Sequence, residues 1–250
     1  MPPLPRPAIA GADGCKAGWL AVRASVAGGS GARGARGTAT APPVEHALCP
    51  DIAALLAWTA GCTLAIDIPI GLSADGARGA EASARAVLGA RRSSVFNAPP
   101  RAVLGARNWA EANAISRRVS GKGLSQQTFH ITAKIAAVDA ALRADARAAA
   151  RVVEVHPEVC FTLLHGGTPM RHPKRTRAGH AERSRLVGQE FPGAFDAIRA
   201  AYRAKDVASD DILDALVTLW SARRIRAGTA RAFPAHWTRD AHGLPMVIHA

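Results

Sequence analysis

The chain has 250 residues, 48% of them apolar, with a mean hydropathy of +0.03, which excludes a disordered or multiply membrane-spanning polypeptide and allows one large core or two small ones. At this size a single domain buries roughly 70–75% of the surface its unfolded chain exposes, so neither disulfides nor a structural metal is required for stability. The 32 Lys and Arg against 19 Asp and Glu give a formal charge of +13, which suits a polyanion such as nucleic acid; an Ala-, Gly- and Arg-rich composition from GC-rich coding produces the same surplus without any function.

In chain order, residues 8–14 and 19–23 are apolar runs joined by a Gly-containing turn and predict two strands. The Gly-, Ala-, Arg- and Pro-rich stretch at 28–43 reads as a mobile connection between strands. A helix is expected over 51–60, then a buried strand over 62–68, ended by Pro69 and Gly71. Short helices and basic loops fill 72–125, an excursion from the domain and not a second core. Ile131, Ile135, Val138 and Leu142 recur at spacings of three and four and predict a long amphipathic helix over 126–149. A strand follows at 151–156, cut by Pro157, then helical sequence over 178–203, interrupted near Pro192. The last helix starts at Ser209, a good N-cap, and runs to Gly228. This order gives an α/β fold with a mixed sheet, in one domain spanning 1–250.

Cys15, Cys49, Cys62 and Cys160 show no C-x-x-C spacing and fall in apolar stretches, as expected in a reducing compartment. The opening MPPLPRPAIA lacks the apolar core of a signal peptide, and no run of about 18 apolar residues occurs. A cytoplasmic protein without a membrane partner is the expectation.

With so few carboxylates, those that interrupt apolar sequence carry information. Asp13 ends the first strand, and Asp67 lies between Ile66 and Ile68, where an unpaired charge costs several kcal/mol. Asp210 and Asp211 suit the first turn of the last helix through its dipole, whereas Asp214 falls between Leu213 and Leu216 on the apolar side. Carboxylates drawn from separate strand ends and one helix are best explained by Mg²⁺ or Mn²⁺, and two such ions about 3.5–4 Å apart would need such a cage.

The segments GADGCKAGW at 11–19, AIDIPIGL at 65–72, RRSSVF at 91–96, EVHPEVCF at 154–161 and DDILDAL at 210–216 together resemble domain of unknown function 429, a family of predicted nucleases, and more distantly the ribonuclease H and Holliday-junction resolvase superfamily. The resemblance implies a ribonuclease H-like, five-stranded mixed sheet flanked by helices, with the 72–125 insertion after the fourth strand. It also implies divalent-metal ligands at Asp13, Asp67, Asp211 and Asp214, and it adds Glu154, His156 and Glu158 as site candidates: Glu154 as a further ligand or acceptor, His156 as a group that orients water or shuttles a proton. The family's lysine in the long helix is Lys134. Ala137, where an acidic residue is usual, and the Gly-rich stretch at 28–43 depart from the family pattern.

The basic loops fit the same expectation. Arg91, Arg92, Ser93 and Ser94 offer guanidiniums and hydroxyls to a phosphate, and Lys174, Arg175, Arg177 and Arg183 form a second cluster around Gly179. With 5% aromatics and a single tyrosine there is no stacking platform for single strands. The expected function is a two-metal nuclease acting on DNA or RNA; alternatives are a non-catalytic nucleic-acid-binding protein with a structural ion, and a small phosphotransferase related to actin and sugar kinases.

Overall fold

The computed structural model describes residues 8–25, 43–76 and 78–250; apart from Pro43, the Gly-rich stretch lies outside them. Strands β1 (Ala8–Cys15) and β2 (Gly18–Ser25) form an antiparallel hairpin in register from Ala8↔Ser25 to Cys15↔Gly18. β3 (Glu45–Cys49) adds antiparallel to the outer edge of β2. Asp51 then caps helix α1 (Ile52–Trp58), its carboxylate accepting the Ala54 amide at 2.8 Å, an arrangement worth about 1 kcal/mol. β4 (Cys62–Ile66) and β5 (Val152–Glu154) complete the sheet as parallel neighbours. The order β3-β2-β1-β4-β5, with β2 reversed, is that of a ribonuclease H-like sheet.

Side-chain alternation divides the core in two. Ile9, Leu20, Val22 and Ala65 face one layer, whereas Ala10, Ala12, Ala21, Leu64 and Ile66 face the other. The second layer is covered by α1 and α4 (Gln126–Ala144), through Leu55, Ile135, Val138 and Leu142. The first is covered by α9 (Ser209–Arg226), whose residues from Ile212 to Ala222 are all buried. A helix apolar on every side must be enclosed, and α9 is: it lies on β1, β2 and β4 and is roofed by α6 (Pro157–Leu164), α7 (Arg177–Glu190) and α8 (Ala194–Ala201).

Between β4 and α4 the chain forms α2 (Gly79–Leu88), two 3₁₀ turns at Gly89–Ser94 and Arg101–Gly105, and α3 (Trp109–Ser120), with a small apolar cluster of Val103, Ala112 and Leu124. The expected 126–149 helix divides at Asp145, whose carboxylate accepts the Arg147 amide and starts α5 (Ala146–Arg151). Helix α6 was not expected from the sequence: Pro157, read as a strand breaker, is its first residue, where a missing N–H costs nothing. Strand β3 and the short pair β6 (Ala232–Phe233) and β7 (Ile248–His249) also went unassigned. The N-cap of α9 is Ala208, not Ser209. Among the described residues no helix is long and apolar enough to cross a membrane.

Candidate active site

The site lies where β1 and β4 end beneath α9. The last β1–β4 pair is Ala12↔Ile66, and the Asp67 amide donates to the Ala12 carbonyl at 3.1 Å. That bond carries the pairing one residue further and sets Asp67 beside Asp13. Both fall on the α9 side, since their strand neighbours Ala12 and Ile66 belong to the opposite layer. Asp214 descends from α9 because the helix touches β1 backbone to backbone. A Cβ at Gly11 would stand 2.3 Å from the Leu219 nitrogen and 2.6 Å from the Ala215 oxygen, so only glycine permits the approach.

Three carboxylates thus meet in one corner, Asp13 and Asp214 buried and Asp67 half-buried. Asp13 is 7% and Asp214 3% exposed. Burial first, and then the charges of Asp214 and Asp67, hold Asp13 well above the ordinary carboxylate range. Burial and the charge of Asp214 push Asp67 to about 7, with Lys174 opposing. Asp214 is raised by burial against the pull of Lys174. Each acid is therefore costly to ionise beside the others, and a cation placed among them would relieve that cost.

One cation is already present. Lys174 Nζ lies 2.6 Å from Asp214 Oδ2 and 3.5 Å from Asp210 Oδ2. Burial works against its charge, and Asp214 and Asp13 overcome it, holding the ammonium above its usual range. Asp211 is turned to its own helix end, where its carboxylate accepts the Ala208 amide at 2.8 Å. Burial raises Asp211 as well. An open groove of about 500 Å³ runs alongside, lined by Lys174, Arg175, Arg177, His180 and Asp210 among others.

The other expected residues divide between those near this corner and those directed elsewhere. His156 is the N-cap of α6; burial, with Lys174 adding to it, drives its imidazole down to about 4 despite Glu158. Its Nδ1 is buried without a partner, and at neutral pH the imidazole is uncharged. Glu158 is fastened by Arg183, whose Nη2 reaches both carboxylate oxygens at 2.7 and 2.8 Å, and by Arg91 Nε at 3.1 Å. Arg183 is 1% exposed, so it secures α6 to α7 and offers nothing to a ligand. Arg92 and Ser93 are exposed, Ser94 half-buried.

Glu154 pairs with Ile66 in register and so starts on the α4 side of β5, although its charge still helps to raise Asp67. There it accepts two bonds from Arg78, at 2.6 and 3.0 Å, and the Ile70 amide at 2.6 Å. Lys134 also works on that layer, donating to the Cys15 and Gly18 carbonyls at 2.8 and 2.7 Å with its ammonium 5.0 Å from the Trp19 ring centre. It clamps the β1–β2 turn. Lys134 is not brought to the carboxylates, and Glu154, engaged by Arg78, acts on Asp67 through its charge. Arg78 was missed in the sequence, although Arg within three residues of Glu81 is a readable pairing signal.

The donor set suits a hard divalent ion, since it consists of carboxylate oxygens whose charges lack sufficient compensation. Among the described residues, no three His, Cys, Asp or Glu side chains stand ready-made as a metal-holding group; Asp214 is shared with Lys174 and Asp211 with an amide. No curated protein and no solved structure matches the chain. The family described as Protein of unknown function (DUF429) matches residues 11–239, a span that carries the end of β1, all of β2, both strand-end acids and the whole of α9. The chain belongs to that family.

Proposed function

We propose that the protein is a divalent-metal-dependent nuclease that hydrolyses phosphodiester bonds of DNA or RNA in the reducing cytoplasm. The observation that carries this reading is the convergence of Asp13, Asp67 and Asp214 from two strands and a helix into one corner, with each acid raised by burial and by its neighbours. Four free, buried cysteines support the reducing compartment. The alternative phosphotransferase would need two copies of the sheet, and the described residues hold one of five strands.

Asp13, Asp67 and Asp214 would hold Mg²⁺ or Mn²⁺. When bound, such an ion makes water a nucleophile near neutral pH and offsets charge that builds up on phosphate oxygens. In the reaction a water oxygen bonds to phosphorus, the P–O bond to the leaving sugar breaks, and the proton lost by water ends on the departing oxygen. His156, at about 4, is too weak a base to take that proton at pH 7; its unpartnered Nδ1 instead makes a hydrogen bond that orients water. Exposed Arg92 and Ser93, with Arg175 and Arg177 along the groove, face solvent where a backbone phosphate arrives.

The test is cleavage of end-labelled single-stranded DNA, duplex DNA, RNA and a branched junction with Mg²⁺ or Mn²⁺, with and without chelator. Asp67→Asn and Asp214→Asn are expected to abolish cleavage while nucleic-acid binding persists. Cleavage surviving in both variants would overturn the proposal; binding without metal-dependent cleavage of any substrate would favour the non-catalytic binding protein.

A further inference from the structure

Resting on the metal-dependent reading above, we infer that Lys174 is a built-in cation that takes the place of one of two divalent ions, so that the site binds a single Mg²⁺ or Mn²⁺. Two-ion sites gather a cage of carboxylates around both positions. Here one carboxylate, Asp211, is drawn to the Ala208 amide, and another, Asp214, already holds an ammonium at 2.6 Å. Asp13 and Asp67, side by side on adjacent strands, are left facing a single position, with Asp214 shared between it and Lys174.

Lys174 is not a wandering surface lysine. Its stem is partly exposed, but the backbone on both sides is fixed to α7. Glu182 accepts the Arg171 and His172 amides at 2.8 and 3.1 Å. Arg183 donates to the His172 carbonyl at 3.1 Å. The Thr176 amide donates to the Pro173 carbonyl at 3.0 Å, and the Thr176 hydroxyl caps α7 through the Gly179 amide. The packing is close enough that a Cβ on Gly179 would stand 2.0 Å from the Pro173 oxygen. A segment held by that many bonds, feeding one ammonium into a carboxylate cluster, has the form of a placed charge.

Of the three acids that converge, Asp13, Asp67 and Asp214, Lys174 neutralises one, and a single divalent ion matches the other two; Asp210, 3.5 Å from the ammonium, and Asp211, held on the Ala208 amide, add charge outside that core. The ammonium also differs chemically from a metal ion. It offers N–H donors to a phosphate oxygen without exchanging ligands, which suits it to steadying charge on one oxygen while the ion serves the other.

Mn²⁺ titration of the full chain, read by the spectroscopic signal of free Mn²⁺, gives stoichiometry and affinity without any activity assay. Wild type is expected to take one ion per chain, and so is Lys174→Arg, which keeps the charge. Lys174→Met removes the ammonium and keeps the stem; it is expected to take a second ion or to bind the first at least roughly tenfold tighter. Two ions in wild type, or Lys174→Met with unchanged stoichiometry and affinity, would overturn the inference while leaving the metal-dependent reading intact. A wild type that takes up no Mn²⁺ overturns both. If Lys174→Met does not fold, the stoichiometries of wild type and Lys174→Arg decide, one ion in each supporting the inference and two refuting it.

Discussion

The molecule gathers carboxylates in two places, and the two sets are treated oppositely. Where β5, α2 and the turn after β4 meet, Glu154 and Glu81 close around Arg78, with contacts at 2.6 Å to each, and Glu154 takes a backbone amide as well. On the α9 face, Asp13, Asp67 and Asp214 crowd together with a single ammonium set against Asp214. Arg supplies a planar fork that fills the lone pairs of a carboxylate, so the first set is a joint between β5, α2 and the turn after β4. The second set is left with charge to spare. Buried acids with Arg partners hold the fold; buried acids facing one another are where an ion and a substrate can be stabilised.

The sharpest way to break this contrast is from the paired side. Arg78→Ala strands two buried carboxylates and is expected to cost about 3–5 kcal/mol in a urea titration; a loss below about 1 kcal/mol would remove the distinction. The crowded side should respond in the opposite direction. Asp67 is raised from 3.8 to about 7, so between those values the folded chain holds a proton that the unfolded chain releases, and wild-type stability falls as pH rises through the window. Without metal, Asp67→Asn is expected to be more stable than wild type by on the order of 2 kcal/mol at pH 7.5, the gap closing toward pH 4. A variant less stable than wild type at pH 7.5 contradicts the account.

Smaller effects separate a cation that clamps the backbone from one that faces solvent. Lys134→Ala is expected to lose about 1–2 kcal/mol of stability, the worth of its two carbonyl bonds, with nucleic-acid affinity unchanged. Arg92→Ala is expected to leave stability alone, weaken nucleic-acid binding by a few fold and reduce the salt slope by about 1. Filter binding at several salt concentrations checks both, and reversed behaviour of the two variants would sink the assignment.

Asp13, Asp67 and Asp214 were legible in the sequence for a physical reason: a carboxylate inside an apolar run has no route to bulk water, so its position announces a partner. The mixed sheet was legible through the same runs and through the family motifs, although its edge strand β3 was not. What was not legible is direction. Glu154 and Asp67 both sit at strand ends, but Glu154 is turned to Arg78 and the Ile70 amide, partners far along the chain that no short motif encodes. Lys174, Arg175, Arg177 and Arg183 looked like one basic cluster. The start of α7 disperses them, sending Lys174 into the carboxylates and Arg183 into the interior while Arg175 and Arg177 stay exposed. Helix α6 was hidden because proline ends a strand and begins a helix equally well.

The central claim is that the crowded carboxylates hold an ion for phosphodiester cleavage. Its most direct test is the rate of Mg²⁺-dependent cleavage of labelled nucleic acid by wild type and Asp13→Asn, each shown to be folded and to bind the substrate. The account predicts cleavage by wild type that chelator abolishes, and a loss of roughly 10³-fold or more in the variant. Equal rates in the two proteins, or cleavage indifferent to chelator, would contradict it.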